Sequence, residues 1–211
     1  MKSPFLLEMT GSEPLTLEEE VEMQQSWRDD EEKCTFIILG KSLCRGEILE
    51  AKREIFQHDP NFVEVACSTN IAAMIGDINL FLSDEEMANE SEIEENPRSI
   101  IAPTSFQKQA ELDVMIAEES FRGKGIGKEA VCMMMIYGAQ TLGIRRYFVK
   151  IKDKNVLSRH LFETSLGFKE CNYVECFCEV ELELKKDSTL ELIQMLRQML
   201  KTQIPENTCS M

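Results

Sequence analysis

The chain has 211 residues, with 38 acidic against 23 basic side chains and a net charge of −15. That length suits one domain that can bury a core without metals or disulfides, and the 43% hydrophobic share excludes global disorder. The excess of acid disfavours nucleic acid and anionic membrane surfaces as partners.

The charge is concentrated. Residues 13–32 carry nine acids and one base, and residues 84–95 carry seven acids and no base. The remainder is neutral overall. The eight cysteines, at 34, 44, 67, 132, 171, 176, 178 and 209, form no C-x-x-C pair. His58 and His160 are the only histidines, so no metal site is expected. Cys176 and Cys178, two apart, would share one face of a strand. The opening residues meet Glu8 and Gly11 too early for a secretory signal, and the most apolar run, Val131 to Ala139, is too short to span a bilayer. These features predict a soluble, reduced, cytoplasmic protein.

In chain order, Ser12 to Glu18 reads as a loop entering a helix. Thr16 is the cap and Glu19 the reciprocal residue of a capping box, with the helix running to Trp27 or Asp30. Thr35 to Leu39 is a short strand. Residues 40–73 are ambiguous: Gly46 to Gln57 has helical composition, and Asp59-Pro60-Asn61 is a turn signal. Met74 to Leu82 alternates as a strand. Residues 83–109 read as a long acidic loop. Glu111 to Ala117 is a strand, Ser120 to Lys128 a glycine-rich turn, and Lys128 to Leu142 a helix stopped by Gly143. Arg146 to Lys152 alternates as a half-buried strand. Asn155 to Ser165 is a helix ending at Gly167. Asn172 to Leu184 is a long strand or a hairpin arm. Thr189 to Lys201 is a C-terminal helix whose apolar residues (Leu190, Ile193, Leu196, Met199, Leu200) pack on its own domain or, as the alternative, on a partner. The order predicts a mixed α/β (α+β) domain over residues 1–211, with insert-like loops at 40–73 and 84–110.

The chemistry is carried by Arg122-Gly123-Lys124-Gly125-Ile126-Gly127-Lys128. The glycines let the backbone approach a ligand, and the following helix offers unpaired amides to an anion. Residues 122–169 hold ten bases and three acids, an inversion of the overall charge. Together these point to a phosphate-bearing ligand. Walker chemistry fails because Glu129 follows Lys128. A dinucleotide fingerprint fails because Lys128 stands at the third glycine, and Arg145, Arg146 and Lys150 stand where its acid would fall.

Arg122-x-x-Gly125-x-Gly127 after a strand resembles the cofactor motif of GNAT-type N-acetyltransferases. Asn155-x-x-Ser158, then Leu161-Phe162-Glu163 and Leu166-Gly167-Phe168, resembles that superfamily's second motif. The stretches SEPLTLEEE, GDINLFL and VMIAEESFRGKGIGKEAV resemble the branch named for acetylating the N-termini of α- and β-tubulin, which is related to ribosomal-protein alanine acetyltransferases. The resemblance covers about residues 1–39, 74–87 and 111–184.

It implies a GNAT fold, a mixed but mostly antiparallel sheet flanked by helices, with the family's first strand and helix missing from this chain. It implies acetyl-CoA as cosubstrate and no metal. The backbone of Met115, Ile116 and Ala117 would pair with pantetheine. The amides of Gly123, Lys124, Gly125, Ile126, Gly127 and Lys128 would hold the pyrophosphate, with charge from Arg122 and Lys128. Asn155 would contact the cofactor near its thioester. The tyrosine that many such enzymes use as acid is replaced: Phe162 or Glu163 stands there, according to how the helix is counted. Ser158 is the candidate acid, or else a helix serine bonding the cofactor or backbone. Glu111 is the candidate base, directly or through a water, or else a solvated acid at a strand start. His160 reads as a surface helix residue. The expected activity is acetylation of protein N-terminal amines, tubulin among them. The alternatives are a small-polyamine acetyltransferase and a silent protein that binds CoA or a partner.

Overall fold

The computed structural model describes residues 3–45, 70–87 and 105–201. Among these, six strands form one sheet: β1 (Lys33–Leu39), β2 (Met74–Met87), β3 (Ser105–Ile116), β4 (Arg146–Lys152), β5 (Lys169–Val174) and β6 (Glu179–Lys185). Their spatial order is β1-β2-β3-β4-β6-β5. Every neighbouring pair is antiparallel except β3 and β4, which run parallel. This is the mixed α/β domain that the element order predicts, with the mostly antiparallel sheet that the family resemblance implies.

One sheet face is apolar. Ile78 and Leu80 of β2, Ala110 and Leu112 of β3, Tyr147, Val149 and Ile151 of β4, and Val180, Leu182 and Leu184 of β6 alternate inward and are buried. Helix α3 (Ile126–Tyr137) covers them with Val131, Cys132, Met134 and Met135. It then widens into a π-helical segment, Gly138–Leu142, that ends on Gly143 at φ 75°. The widening lies where Tyr147 donates its hydroxyl to the Met135 carbonyl at 2.8 Å. A Cβ on Gly138 would come within 2.6 Å of that same oxygen. Helix α4 (Val156–Arg159) likewise continues as π turns over His160–Ser165 and sends Phe162 into the core. Helix α5 (Thr189–Lys201) packs against α3 through Leu192, Ile193 and Leu196. The expected self-packing is observed, although Leu190 is exposed and Leu192 takes the buried place.

The opposite face is polar and is crossed by the N-terminal segment. The capping box at Thr16 forms as expected: Thr16 accepts from the Glu19 amide, and Glu19 accepts from the Thr16 amide. It starts α2 (Leu17–Asp29), whose Trp27 meets Phe81 edge to face at 5.7 Å. A further helix, α1 (Pro4–Thr10), has no counterpart in the sequence reading. Ser3 caps it, and Gly11 closes it at φ 64°. Seven residues carry too little periodicity to announce a helix. Contacts with β4 hold it instead, including a Gly11 that leaves room for the Lys152 side chain.

Three boundaries need correction. The span read as a loop over 84–110 is strand at both ends, because β2 reaches Met87 and β3 begins at Ser105. Its acids are tolerated there because Glu85 faces Arg146 at 3.7 Å and Lys185 at 3.5 Å. Residues 172–184 are not one strand. The chain turns at Glu175–Phe177, with Cys178 at φ 50°, so Cys176 and Cys178 sit in a turn rather than on one strand face. The helix expected from Lys128 begins two residues earlier, at Ile126. The helical and turn readings at 46–57 and 59–61 lie outside the described residues.

Replacing Leu192 with Ala removes a fully buried side chain from the contact between α5 and α3. Chemical denaturation should show a loss of about 2–5 kcal/mol; a change under about 0.5 kcal/mol would mean that α5 is not part of the core.

Candidate active site

β3 and β4 pair over only three positions: Gln109 with Arg146, Ala110 with Tyr147, and Glu111 with Phe148. Beyond these the two strands part. β3 stays bonded to β2 as far as Ile116, and β4 stays bonded to β6 as far as Lys152. A cleft of about 250 Å³ opens there, lined by Glu111, Asp113, Lys150, Asn155 and Ser158, with Thr10 and Ser12 contributed by the N-terminal segment. A larger apolar groove of about 790 Å³ lies between β1 and α3, but its charged lining residues are only Lys41, Lys124 and Glu129. The two candidate catalytic residues, Glu111 and Ser158, line the smaller cleft.

From the end of β3 the chain passes through a single turn, Glu119–Phe121, into the glycine segment. Gly123 (φ 68°) and Gly125 (φ 81°) adopt left-handed conformations that L side chains rarely take. The space beside Gly123 is open for 4 Å where a Cβ would stand. Gly125 caps α3, and the first helical bond runs from the Glu129 amide to the Gly125 carbonyl at 3.0 Å. The amides of Ile126, Gly127 and Lys128 precede that bond and have no intrahelical acceptor. This geometry suits a phosphate.

The basic side chains divide the work. Arg122 donates to the carbonyls of Ile116 at 2.8 Å and Ala117 at 2.6 Å, and lies over the Phe5 ring at 5.2 Å. It therefore ties the glycine turn to the end of β3 and to α1. Lys124 is exposed, over the Phe121 ring at 5.4 Å. Lys128 is half-buried and has no ion pair among the described residues.

The predicted catalytic residues meet in the cleft. Asn155 caps α4 by accepting from the Ser158 amide at 3.2 Å, and its own amide donates to the Met9 carbonyl at 3.4 Å. Ser158 is half-buried on the cleft wall. Glu111 is held by Lys150 at 2.6 Å. Phe162 is buried against Phe168, and Glu163 is engaged by Arg159 at 2.8 Å. His160 is exposed. The chain's three tyrosines all lie elsewhere. Tyr147 is in the core, Tyr137 packs on Phe36, and Tyr173 donates to Asp153 at 2.6 Å. Burial pushes the Tyr147 hydroxyl far up, and the bond to Asp153 pushes Tyr173 up to about 12.

Sequence reasoning missed Asp113. It lies on the cleft face of β3, two residues from Glu111. Asp113 is exposed to solvent at the cleft, yet the protein around it, and then the charges of Asp77 and Glu111, push its carboxyl up to about 6. Burial also raises Asp77, while its bond from Asn79 opposes the rise. The sequence signal was present in the pattern Glu111-x-Asp113, but its neighbour Asp77-x-Asn79 sits on a strand more than thirty residues away. Among the described residues, no group of three or more His, Cys, Asp or Glu side chains is placed to hold a metal ion, and no helix is long and apolar enough to cross a membrane.

Comparison with known proteins follows the same lines. A family model described as an acetyltransferase (GNAT) domain matches residues 13–169. The N-acetyltransferase 9-like protein of Caenorhabditis briggsae is 39% identical over 184 residues, covering 87% of this chain and 73% of the relative. The human alpha/beta-tubulin-N-acetyltransferase 9 is 40% identical over 184 residues, covering 87% of this chain and 70% of the relative. A spermidine N-acetyltransferase from Vibrio cholerae, solved with CoA and spermine, superposes with a TM-score of 0.54 at 16% identity, covering 88% of this chain and 85% of the other. At that identity the likeness is one of fold.

The raised carboxyl of Asp113 makes a stability prediction. Above about pH 6 the fold holds this group ionised against its preference; protonation relieves the penalty as the pH falls through 6 toward the ordinary aspartate value. Asp113→Asn should therefore raise Tm at pH 8 by about 2–4 °C, the effect of about 1 kcal/mol in a chain of this size, since access to solvent limits the gain. The advantage should vanish near pH 4. An unchanged or lower Tm at pH 8 would contradict the assignment.

Proposed function

The chain belongs to the GNAT acetyltransferase family, and from that premise we propose that it transfers the acetyl group of acetyl-CoA to the N-terminal amine of a protein. Tubulin is the acceptor for which its human relative, the alpha/beta-tubulin-N-acetyltransferase 9, is named. The observation that carries this reading is the course of β3: Glu111 and Asp113 line the cleft where it parts from β4, and past its end at Ile116 the chain enters the turn with the two left-handed glycines.

The residues fit the cosubstrate at the turn, where two left-handed glycines, open space and free amides meet. In this reading the amides of Gly123 to Lys128 hold the pyrophosphate, and Lys128 adds its charge. The Met115–Ala117 edge, freed from β4, pairs with the pantetheine arm. Asn155 stands at the cleft's inner end, where it would meet the thioester region. Acetyl-CoA supplies the activated acyl group. The chain's own residues bind and orient it, exclude water, and move two protons. An amine attacks only when neutral, so the cleft must take a proton from the ammonium. The departing sulfur needs a proton, and in this reading the Ser158 hydroxyl on the cleft wall donates it. Arg122 acts by positioning: it fixes the geometry of the glycine turn without pointing its charge at the phosphates.

The acceptor enters from the polar face. There the cleft joins the loop between α1 and α2, and α2 opens with Glu18, Glu19 and Glu20. This field favours a cationic amine. We read residues 1–211 as one catalytic domain with inserts at 40–73 and 84–110. We place it in the cytoplasm, in keeping with the six described cysteines, all of which are free thiols.

Purified protein should acetylate peptides carrying tubulin N-termini, read by mass spectrometry. Transfer to polyamines alone would overturn the protein-acceptor reading; CoA binding without transfer to any amine would mark a silent binder. Gly125→Glu places a side chain and a negative charge at the left-handed cap, and calorimetry should show acetyl-CoA binding weakened by at least about 100-fold, or about 2.7 kcal/mol. Undiminished binding would refute the phosphate cradle. Ser158→Ala should lower kcat by about 100-fold with little change in the KM for acetyl-CoA.

A further inference from the structure

Glu111 and Asp113 point from the same face of β3 into the same cleft, but they are not equivalent. Glu111 is closed off by the Lys150 ammonium at 2.6 Å. Asp113 has no ion pair among the described residues; the charges acting on it are the acids Asp77 and Glu111. Directly across from it on β2 is Asn79, which is 1% exposed. Thr35 of β1 donates its hydroxyl to Asn79 Oδ1 at 2.7 Å. That bond fixes which way the amide faces, so the NH₂ group turns toward the aspartates. It donates to Asp77 Oδ2 at 2.8 Å and also favours the ionised form of Asp113. A buried amide thus links three strands to one carboxylate whose other side opens into the cleft.

We propose that Asp113, positioned by the Thr35–Asn79 pair, takes the proton from the acceptor's ammonium; Glu111, assigned that role on sequence, serves instead to hold Lys150. This rests on the N-acetyltransferase reading above. The acceptor enters as an ammonium, and Asp113 removes one N–H proton and becomes a neutral acid. The freed amine forms the N–C bond as the C–S bond breaks. As the amide forms, the second nitrogen proton passes through the Ser158 hydroxyl to the sulfur. Asp113 then releases its proton to water. The balance is one N–C bond made, one C–S bond broken and one proton given to solvent.

The groups around the cleft set the pH at which this works. Asp77 faces Asp113 from β2, Glu111 from its own strand, Lys150 and Lys152 from β4, and Glu179 from β6; Met9, Thr10 and Ser12 from the N-terminal segment add no charge. A carboxyl near 6 is ionised at neutral pH, yet basic enough to accept a proton.

The test is the pH profile of kcat/KM for the whole chain, with acetyl-CoA and an N-terminal peptide, for the wild type and for Asp113→Asn, Glu111→Gln and Asp77→Asn. Acetyl-CoA binding is measured for each to report folding. The wild type should lose activity below about pH 6. Asp113→Asn should bind acetyl-CoA normally and lose at least about 100-fold in kcat. Asp77→Asn removes a neighbouring negative charge, so it should shift the acidic limb to lower pH, which a purely structural role would not do. Asp113→Asn retaining more than about a tenth of the wild-type kcat, or an acidic limb that disappears in Glu111→Gln instead, would overturn the assignment while leaving the N-acetyltransferase reading intact. A wild type that binds acetyl-CoA but acetylates no amine would overturn both.

Discussion

The parting of β3 from β4 is the constraint on which the rest of the molecule depends. Each strand is committed on its other side: β3 to a twelve-position antiparallel ladder with β2, and β4 to seven positions with β6. Neither can follow the other without breaking a longer ladder. The three-position parallel pair at Gln109 to Glu111 is therefore a hinge line between two rigid half-sheets. Parting leaves backbone groups on both strands without strand partners, which is costly in a buried setting. A ligand that supplies those hydrogen bonds is correspondingly favoured. Gly76 shows how tightly the β2–β3 half is drawn together beside the gap: a Cβ there would meet the Met115 carbonyl at 2.0 Å.

The two faces of the sheet then take different duties. The apolar face is sealed by α3, α4 and α5 and bridges the gap through Leu112, Val149 and Phe162, so the half-sheets share one core even where their backbones separate. The polar face is left to charge. Arg146 joins Glu183 at 2.6 Å and Glu85 at 3.7 Å, while Lys150 joins Glu111. Such half-exposed pairs add little net stability. Their consequence is selective: they neutralise most of the acids lining this face and leave Asp113 without a cation. The Arg122 clamp does the same for position, joining the end of β3, the glycine turn and Phe5 of α1 in one contact set.

Much of this was legible before any coordinates. The capping box at Thr16, the strand Arg146–Lys152 and the helix Thr189–Lys201 carry their signals within a few consecutive residues, and they form where those signals place them. The glycine turn is legible for the same reason: its conformation depends on residue types that tolerate positive φ. What was not legible depends on partners distant in sequence. The acidic end of β2 looks like loop until Arg146 and Lys185 stand opposite it. The hairpin at Glu175–Cys178 looks like continuous strand until β5 folds back on β6. Helix α1 is too short to show a period, and the bonds of Arg122 to the Ile116 and Ala117 carbonyls depend on how the turn folds back on the end of β3.

The sequence by itself determined the family, the glycine turn and the local inversion of charge around it, because these reside in side-chain identity and short spacing. The tertiary structure alone decided which of the two cleft carboxylates is held by a lysine. Glu111 and Asp113 are equal as letters on one strand. They differ because β4 brings Lys150 to the first, while β2 and β1 bring Asp77, Asn79 and Thr35 to the second. The strength of a base depends on its neighbours in space, and no neighbour from β1, β2 or β4 lies within twenty residues of it along the chain.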